Sequence, residues 1–324
     1  MQPLLSTALS VVVPVYGNAQ SIPALIAALR DIAQQVDGGF EAVFVVDGSP
    51  DRSHALLRDA LPAAGFRARL VQLTRNFGAF PAIRVGLEKA EGEVIAVMAA
   101  DLQEPPELAL AFLQQLRDGS ADVVFGVRDS RRDPAIAQLL SKTFWSLYRR
   151  FVMPDIPKGG VDIFAVSRRF RDRLIALRES NTSLIAQLFW LGGVRVFVPY
   201  QRRRREHGRS AWTFAKRLNY LSDSVFAFSD LPVRILMATG ALALATAAVL
   251  GIVIVIAKVS GLVAVPGYAG TILTILFFGA INTLGLGVVG SYAWRAFENT
   301  KDRPLALVHS DQRFDGPVTG ERMS

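Results

Sequence analysis

Residues Glu93 to Glu107 read EVIAVMAADLQEPPE, an apolar run that ends abruptly on Asp101, Gln103 and Glu104. Val, Ile, Ala and Met closed by acids and a Pro-Pro pair predict a buried strand that delivers polar groups at its carboxyl end. In open α/β sheets, ligands bind at that end. Carboxylate and amide oxygens there suit a hard divalent cation, and such a cation suits a diphosphate. The plainer alternative is that Asp101 caps a helix starting near Pro105.

Outward from this stretch the first ~130 residues alternate in pattern. Leu9–Val15, Glu41–Asp47, Arg69–Thr74, Glu93–Ala99 and Asp122–Val127 are β-branched and of strand length. Ile22–Val36, Ser53–Ala64, Ala79–Ala90 and Pro106–Asp118 between them carry helical patterns. Such alternation with short connections predicts an α/β domain whose mostly parallel sheet is covered on both faces. Strand endings at Pro14–Asn18, Asp47–Asp51 and Asp101 then share one carboxyl edge, which caps alone explain poorly. Beyond Val127, Ile136–Val152 is amphipathic, Val161–Val166 and Val194–Tyr200 read as strands, and Arg168–Arg178 reads as a helix.

The apolar excess is concentrated late in the chain, whose hydrophobic content is 51%. Ile235–Ala257 and Val259–Trp294 contain no charged residue. Each is long enough to cross a ~30 Å hydrocarbon core at ~1.5 Å per residue, so two membrane spans are expected, with a turn at Pro266-Gly267. Arg202–Arg205, Arg209, Lys216, Arg217 and Arg234 precede the first span, and Arg295, Lys301 and Arg303 follow the second. The positive-inside rule therefore places both termini and the whole first two-thirds in the cytoplasm of an integral inner-membrane protein. No secretory signal is read at Met1–Leu9. Trp212–Ser229 has apolar residues at helical spacing among cations, either lying in the interface or packing on the soluble domain. The tail after Phe297 is polar, without clear periodicity, and is expected to be poorly ordered.

A formal charge of +8 could signal nucleic acid or an anionic membrane surface. The densest basic run, Gln201–Arg209, lies just before the spans, which favours anionic lipid as the partner and not nucleic acid. The absence of cysteine excludes disulfides, thiol catalysis and Cys-ligated metals. Gly285–Gly290 matches a dinucleotide fingerprint but sits inside a predicted span, where small residues serve helix packing. Gly287 and Ser291 at four-residue spacing leave a homo-oligomer open. Asn181-Thr182-Ser183 matches a glycosylation acceptor on the cytoplasmic side, no P-loop string occurs, and His54, His207 and His309 lack metal-ligand spacing.

With these segments placed, the chain resembles the family 2 glycosyltransferases of GT-A fold. More narrowly, it is similar to the membrane-bound polyprenyl-phosphate glycosyltransferases, the group of dolichyl-phosphate mannose synthase, undecaprenyl-phosphate aminoarabinose transferase and the prophage bactoprenol glucosyltransferases. The strings that carry the resemblance are VVVPVYGN, VVDGSPDRS, RNFGAFPAIRVGL, AADLQEPPEL, the Arg128/Arg131 segment, VDIFAVSRR, RRRREHGRSAWTF and GVVGSYAWRAFENTKDRP, in that order over nearly all of Leu9–Pro304. The resemblance implies a GT-A domain over residues 1–200 with a Rossmann-like, mostly parallel sheet. A basic juxtamembrane segment at 201–232, a two-helix transmembrane hairpin at 233–295 and a polar cytoplasmic tail at 296–324 would follow.

It further implies inverting transfer of a sugar from a nucleotide-sugar donor to a polyprenyl phosphate acceptor, with Mg²⁺ or Mn²⁺. Pro14, Tyr16, Asn18, Asp47, Ser49, Asn76, Gly78 and Asp101 would bind the nucleotide-sugar, with Pro14, Tyr16 and Asp47 lining base and ribose. Asp101 and Gln103 would hold the metal. Arg128, Arg131 and Lys142 would position the lipid phosphate, Arg202–Arg205 would add an interfacial funnel, and Asp162 would be the catalytic carboxylate. Each of these cations and Asp162 also has a plain reading, as a solvated basic face or a structural acid.

The chain departs from the family pattern at four places. Val46 and Ala99 stand where carboxylates are usual, Gly17-Asn18 replaces an expected acid, and Ser291 replaces another. Asp101, Gln103, two phosphate oxygens and waters could still complete six positions around Mg²⁺. A catalytically degenerate membrane scaffold is therefore an alternative. So is a polysaccharide-extending enzyme, although two spans are few for a channel and no Gln-x-x-Arg-Trp string occurs.

Overall fold

A computed structural model describes residues 7–128, 146, 148–150, 153–157, 161, 163–179, 182–203, 224–260 and 267–316. Eight strands form one sheet: β1 (Leu9–Val15), β2 (Phe40–Val46), β3 (Arg67–Leu73), β4 (Val94–Val97), β5 (Val123–Arg128), β6 (Ile163–Ser167), β7 (Arg195–Tyr200) and β8 (Val308–Phe314). Their order is β7-β5-β6-β4-β1-β2-β3-β8. β1 pairs in parallel with β2 and β4, β2 with β3, and β5 with β7, while β6 and β8 run antiparallel to their neighbours. Because β6 is antiparallel to both β4 and β5, the carboxyl ends of β1 to β5 and β7 share one edge. β6 begins there, at Ile163 opposite Gly126.

The soluble helices are α1 (Ile22–Gln35), α2 (Ser53–Ala60), α3 (Ala79–Lys89), α4 (Leu108–Arg117), α5 (Arg168–Ala176) and α6 (Leu184–Trp190). Side chains alternate across a strand, so Leu9, Val11, Val13 and Val15 of β1 pack with α1, α2 and α4, while Val12 packs with α3, α5 and α6. The central strands are near-continuous hydrophobic runs because both faces are covered. Each fully buried Val or Leu contributes about 1.5–3 kcal/mol. Gly86 sets how closely α3 lies on β1, since a Cβ there would come within 2.2 Å of Val12 Cγ1.

Two buried arginines lock α3 to α5. Arg84 of α3 donates to the carbonyls of Ile175 (2.7 Å) and Leu177 at the end of α5. Arg171 of α5 donates to Leu87 (2.7 Å) and Ala90 (2.8 Å) at the end of α3. Each cation therefore satisfies the orphan carbonyls, and the negative dipole end, of the other helix. The strands and helices expected over 9–127 and 161–200 are present to within a few residues, α6 is an addition, and the amphipathic stretch Ile136–Val152 lies largely outside the described residues.

The long apolar segments form α7 (Leu231–Val259) and α8 (Tyr268–Thr300). Among the described residues, α7 is one helix long and apolar enough to cross a membrane; its Leu231–Val253 stretch has a mean hydropathy of 2.2. It is neither a buried core helix nor N-terminal, since only 6% of that stretch is buried. The segment Trp212–Ser229 lies largely outside the described residues, with Ser224–Phe228 helical.

The tail differs from expectation. α8 runs on to Thr300, and Val308–Phe314 forms β8, antiparallel on β3. Hydropathy gave no signal because charge, not apolar alternation, holds this edge strand. Asp311 accepts from Arg69 Nε and a terminal guanidinium nitrogen, both at 2.7 Å, and lies 3.0 Å from Lys89. Arg313 pairs with Glu91 at 3.0 Å.

Arg69 above all, with Lys89 and against the opposing effect of burial, holds the Asp311 carboxyl at about 2, below its ordinary 3.8. A depressed folded-state pKa contributes stability above the unfolded value, and that contribution is lost as pH falls through the folded one. Amide exchange across residues 308–314, corrected for intrinsic rates, should therefore lose protection between about pH 4 and pH 2. Asp311→Asn should show low protection already at pH 7.

Candidate functional site

The carboxyl edge of the sheet collects the loops after β1, β2, β3 and β4, and two carboxylates tie them together. Asp47, 3% exposed at the end of β2, accepts from the N–H of Phe77 (2.7 Å) and of Gly78 (2.8 Å). The two residues that lead into α3 are thereby held against the β2 loop. Gly48 permits the contact: its φ is +56°, and a Cβ there would meet the backbone of Arg75 and Asn76 at 2.4 Å.

Asp51 forms the second knot. It accepts from Ala19 N–H (2.9 Å), Ser53 N–H (3.0 Å) and the Ser49 hydroxyl (2.6 Å). Burial alone would raise its pKa, but hydrogen bonds from Ser49, Ser53 and Ala19 outweigh it and hold the carboxyl at about 2. Gly17 N–H donates to Ser49 Oγ (2.9 Å), and Tyr16 N–H donates to Asn18 Oδ1 (3.0 Å). The β1 and β2 loops thus form one hydrogen-bonded unit.

The expected nucleotide contacts divide accordingly. Pro14 is half-buried in β1, Tyr16 is 44% exposed and Asn76 is exposed. Asn18 and Ser49 hold the loops internally, and Gly78 gives its N–H to Asp47, so this buried carboxylate serves loop position first. Sequence reading passed over Asp51, and also Arg75, whose guanidinium stacks 4.1 Å from the Phe77 ring at this edge. Both stand inside quoted strings, but nothing local reveals a loop-to-loop hydrogen bond.

After β4 the chain turns sharply. Leu102 has φ +52°, a left-handed conformation that costs a non-glycine residue of order 1–3 kcal/mol. Asp101 is half-buried and its Oδ1 accepts from Gln103 N–H at 3.4 Å. The cap alternative fails, because α4 starts only at Leu108 and has no side-chain cap. Gln103 (9% exposed) and Glu104 (3% exposed) turn inward. The Gln103 side-chain oxygen accepts from Arg202, whose Nε lies 3.6 Å from Glu104. Arg203 N–H donates to the Gln103 carbonyl (2.8 Å), and its guanidinium lies 3.5 Å from Glu107. Arg202 and Arg203, expected as part of a lipid funnel, here hold the acidic segment.

Among the described residues, no three His, Cys, Asp or Glu side chains gather to hold a metal. Asp101 beside a diphosphate fits Mg²⁺ or Mn²⁺ arriving with a substrate, since Mg²⁺ is commonly held by one or two carboxylates plus phosphates. Arg128 ends β5 at the same edge. Asp162, Arg131, Lys142, Arg204 and Arg205 lie outside the described residues.

Residues 10–176 match the family model described as glycosyl transferase family 2. An uncharacterized glycosyltransferase of Synechocystis is 30% identical over 93% of this chain and 94% of its own length. A prophage bactoprenol glucosyl transferase homolog of Escherichia coli is 29% identical over 93% and 98%. The bactoprenol glucosyl transferase of Shigella phage SfX is 29% identical over 93% and 99%. Among solved structures, Mycobacterium tuberculosis glucosyl-3-phosphoglycerate synthase in complex with Mg²⁺ and uridine diphosphate aligns at 19% identity with a TM-score of 0.48. That alignment covers 67% of this chain and 79% of the other.

Asp47→Ala leaves two inward-facing N–H groups without their acceptor and should destabilise the chain by about 1.5–3 kcal/mol. Asp47→Asn keeps one acceptor oxygen and should lose less. Thermal unfolding in detergent checks the order: wild type, then Asn, then Ala.

Proposed function

Because the chain belongs to glycosyl transferase family 2 and is a glycosyltransferase, we propose that it moves one sugar from a nucleotide-sugar to a polyprenyl phosphate at the cytoplasmic face of a membrane. One observation carries this reading: the candidate site and the connections to both long apolar helices share one sheet edge. β7 ends there at Tyr200 and leads toward α7. β8 begins there after α8, with Thr74 N–H donating to the Leu307 carbonyl at 2.9 Å. The site then faces the surface that α7 enters. α8, with its uncharged Tyr268–Trp294 stretch, is assigned as a second span, and the flanking cations set both termini in the cytoplasm. The bactoprenol glucosyl transferases resemble this chain almost from end to end, which supports a lipid phosphate as acceptor.

In the proposed reaction a phosphate oxygen of the acceptor attacks the anomeric carbon. The bond to the nucleoside diphosphate breaks, and the configuration inverts. A phosphomonoester with its second pKa near ~6 is mostly dianionic at neutral pH, so little general-base help is needed. Positioning by cations matters more, and Arg128, Arg131 and Lys142 are assigned to it, with Asp162 as the catalytic carboxylate. Pro14, Tyr16 and Asn76 receive the nucleotide on loops pinned by Asp47 and Asp51. Asp101 would hold a divalent cation, which when bound supplies Lewis-acid stabilisation of the departing diphosphate.

Asp101→Ala should lower formation of lipid-linked sugar by at least about 100-fold, the scale of losing one transition-state electrostatic contact. The assay incubates UDP-, GDP- and dTDP-sugars with undecaprenyl phosphate and detergent-solubilised protein, and weighs the lipid product by mass spectrometry. Undiminished turnover in the variant removes Asp101 from the reaction.

A further inference from the structure

We propose that Arg202 is a positioning residue for the donor site, and that Gln103 is its anchor and not a metal ligand. The inference deepens the reading above and rests on it for the identity of the site. Four contacts join residues 202–203 to residues 103–107. They are Arg202 to the Gln103 side-chain oxygen, Arg202 to Glu104 at 3.6 Å, Arg203 N–H to the Gln103 carbonyl at 2.8 Å, and Arg203 to Glu107 at 3.5 Å. Gln103 and Glu104 are buried, so the two contacts of Arg202 form under the edge, whereas the Arg203–Glu107 pair lies out in solvent. A guanidinium fork that meets an amide oxygen and a carboxylate together gives geometric definition as well as charge.

These contacts act on the turn that presents Asp101. Leu102 between Asp101 and Gln103 is held at φ +52°, a conformation that persists only where its surroundings over-determine it. Gln103, fixed on its carbonyl by Arg203 and on its side chain by Arg202, is the following residue. Drawing Gln103 inward leaves Asp101 as the group of this turn nearer the surface. The amide oxygen that would have ligated a cation already faces a fixed positive charge. A divalent cation bound to that oxygen would be repelled by the adjoining guanidinium.

Residues 202–203 also begin the segment that leads into α7. Arg202 thus ties the residues just after β7 to the turn that carries Asp101. Arg202→Lys keeps the charge and loses the fork, so partial rescue is expected.

Two measurements on the full-length protein in detergent test this. In the absence of any ligand, Arg202→Ala should raise hydrogen exchange at residues 101–104 at least about tenfold, with Arg202→Lys intermediate. Unchanged exchange overturns the proposal. Calorimetry then follows Mn²⁺ with UDP, chosen as the probe. Arg202→Ala and Gln103→Ala should each weaken binding about five- to tenfold, and the double variant should be no weaker than either, as for two residues acting as one unit. Independent, multiplicative losses, or a large loss in Gln103→Ala beside none in Arg202→Ala, return Gln103 to the metal and overturn the proposal. If the wild type makes no lipid-linked sugar from any donor, the transfer reading fails, and the ligand-free exchange still decides the role of Arg202.

Discussion

The Asp47 carboxylate, with one oxygen on Phe77 N–H and the other on Gly78 N–H, is the contact on which the rest of the edge depends. Phe77 and Gly78 lead into α3, and their N–H groups would otherwise lack an acceptor at this edge. Holding them from the neighbouring strand fixes where α3 begins relative to β2. The reciprocal arginines Arg84 and Arg171 then fix where α3 ends relative to α5. With both ends held, the β3 loop carrying Arg75 and Asn76 has one register on the edge. Asp51 does the same for the loops of β1 and β2. Charged groups bonded to backbone and hydroxyl partners thus tie together segments without regular secondary structure.

The same edge divides positive from negative charge with some economy. Asp47, Asp51 and Glu104 are engaged with backbone N–H, hydroxyls or Arg202. Arg75 lies on the ring of Phe77 at the rim, and Arg128 ends the strand beside β7. A rim at which Asp47, Asp51 and Glu104 are engaged within the chain and cations line the mouth attracts anionic ligands, which suits the proposed diphosphate donor and lipid phosphate.

Much of this was legible in the sequence. Strand-length apolar runs, helical periodicity and punctuation by Gly, Pro and Asp placed β1 to β7 and α1 to α5 and put the three polar loops on one edge. β8 was not legible, because VHSDQRF has no apolar alternation and is held by Arg69 and Lys89, more than 200 residues away in sequence. Asp51 was passed over for a related reason. A carboxylate in a loop looks alike in sequence whether it faces a ligand or three donors of its own chain. Gln103 shows the limit most sharply, since residue type suited a metal ligand and only the fold reveals that Arg202 reaches it.

Ala99 gives this last point its weight. A site with two carboxylates can hold a divalent cation largely by itself, and a lost amide ligand is then a small matter. With a methyl group at Ala99, the balance of charge passes to Asp101 and to the phosphates that come with the donor. In the proposed reaction, cation and nucleotide would then bind as one unit, and the precision of the Asp101 turn would count for more than beside a second acid. A left-handed leucine braced by a buried glutamine and an arginine from the membrane-proximal chain is a physical answer to that demand. On the proposed reading, the same loss of charge that weakens the site as a metal cage makes its geometry depend on Arg202, just after β7.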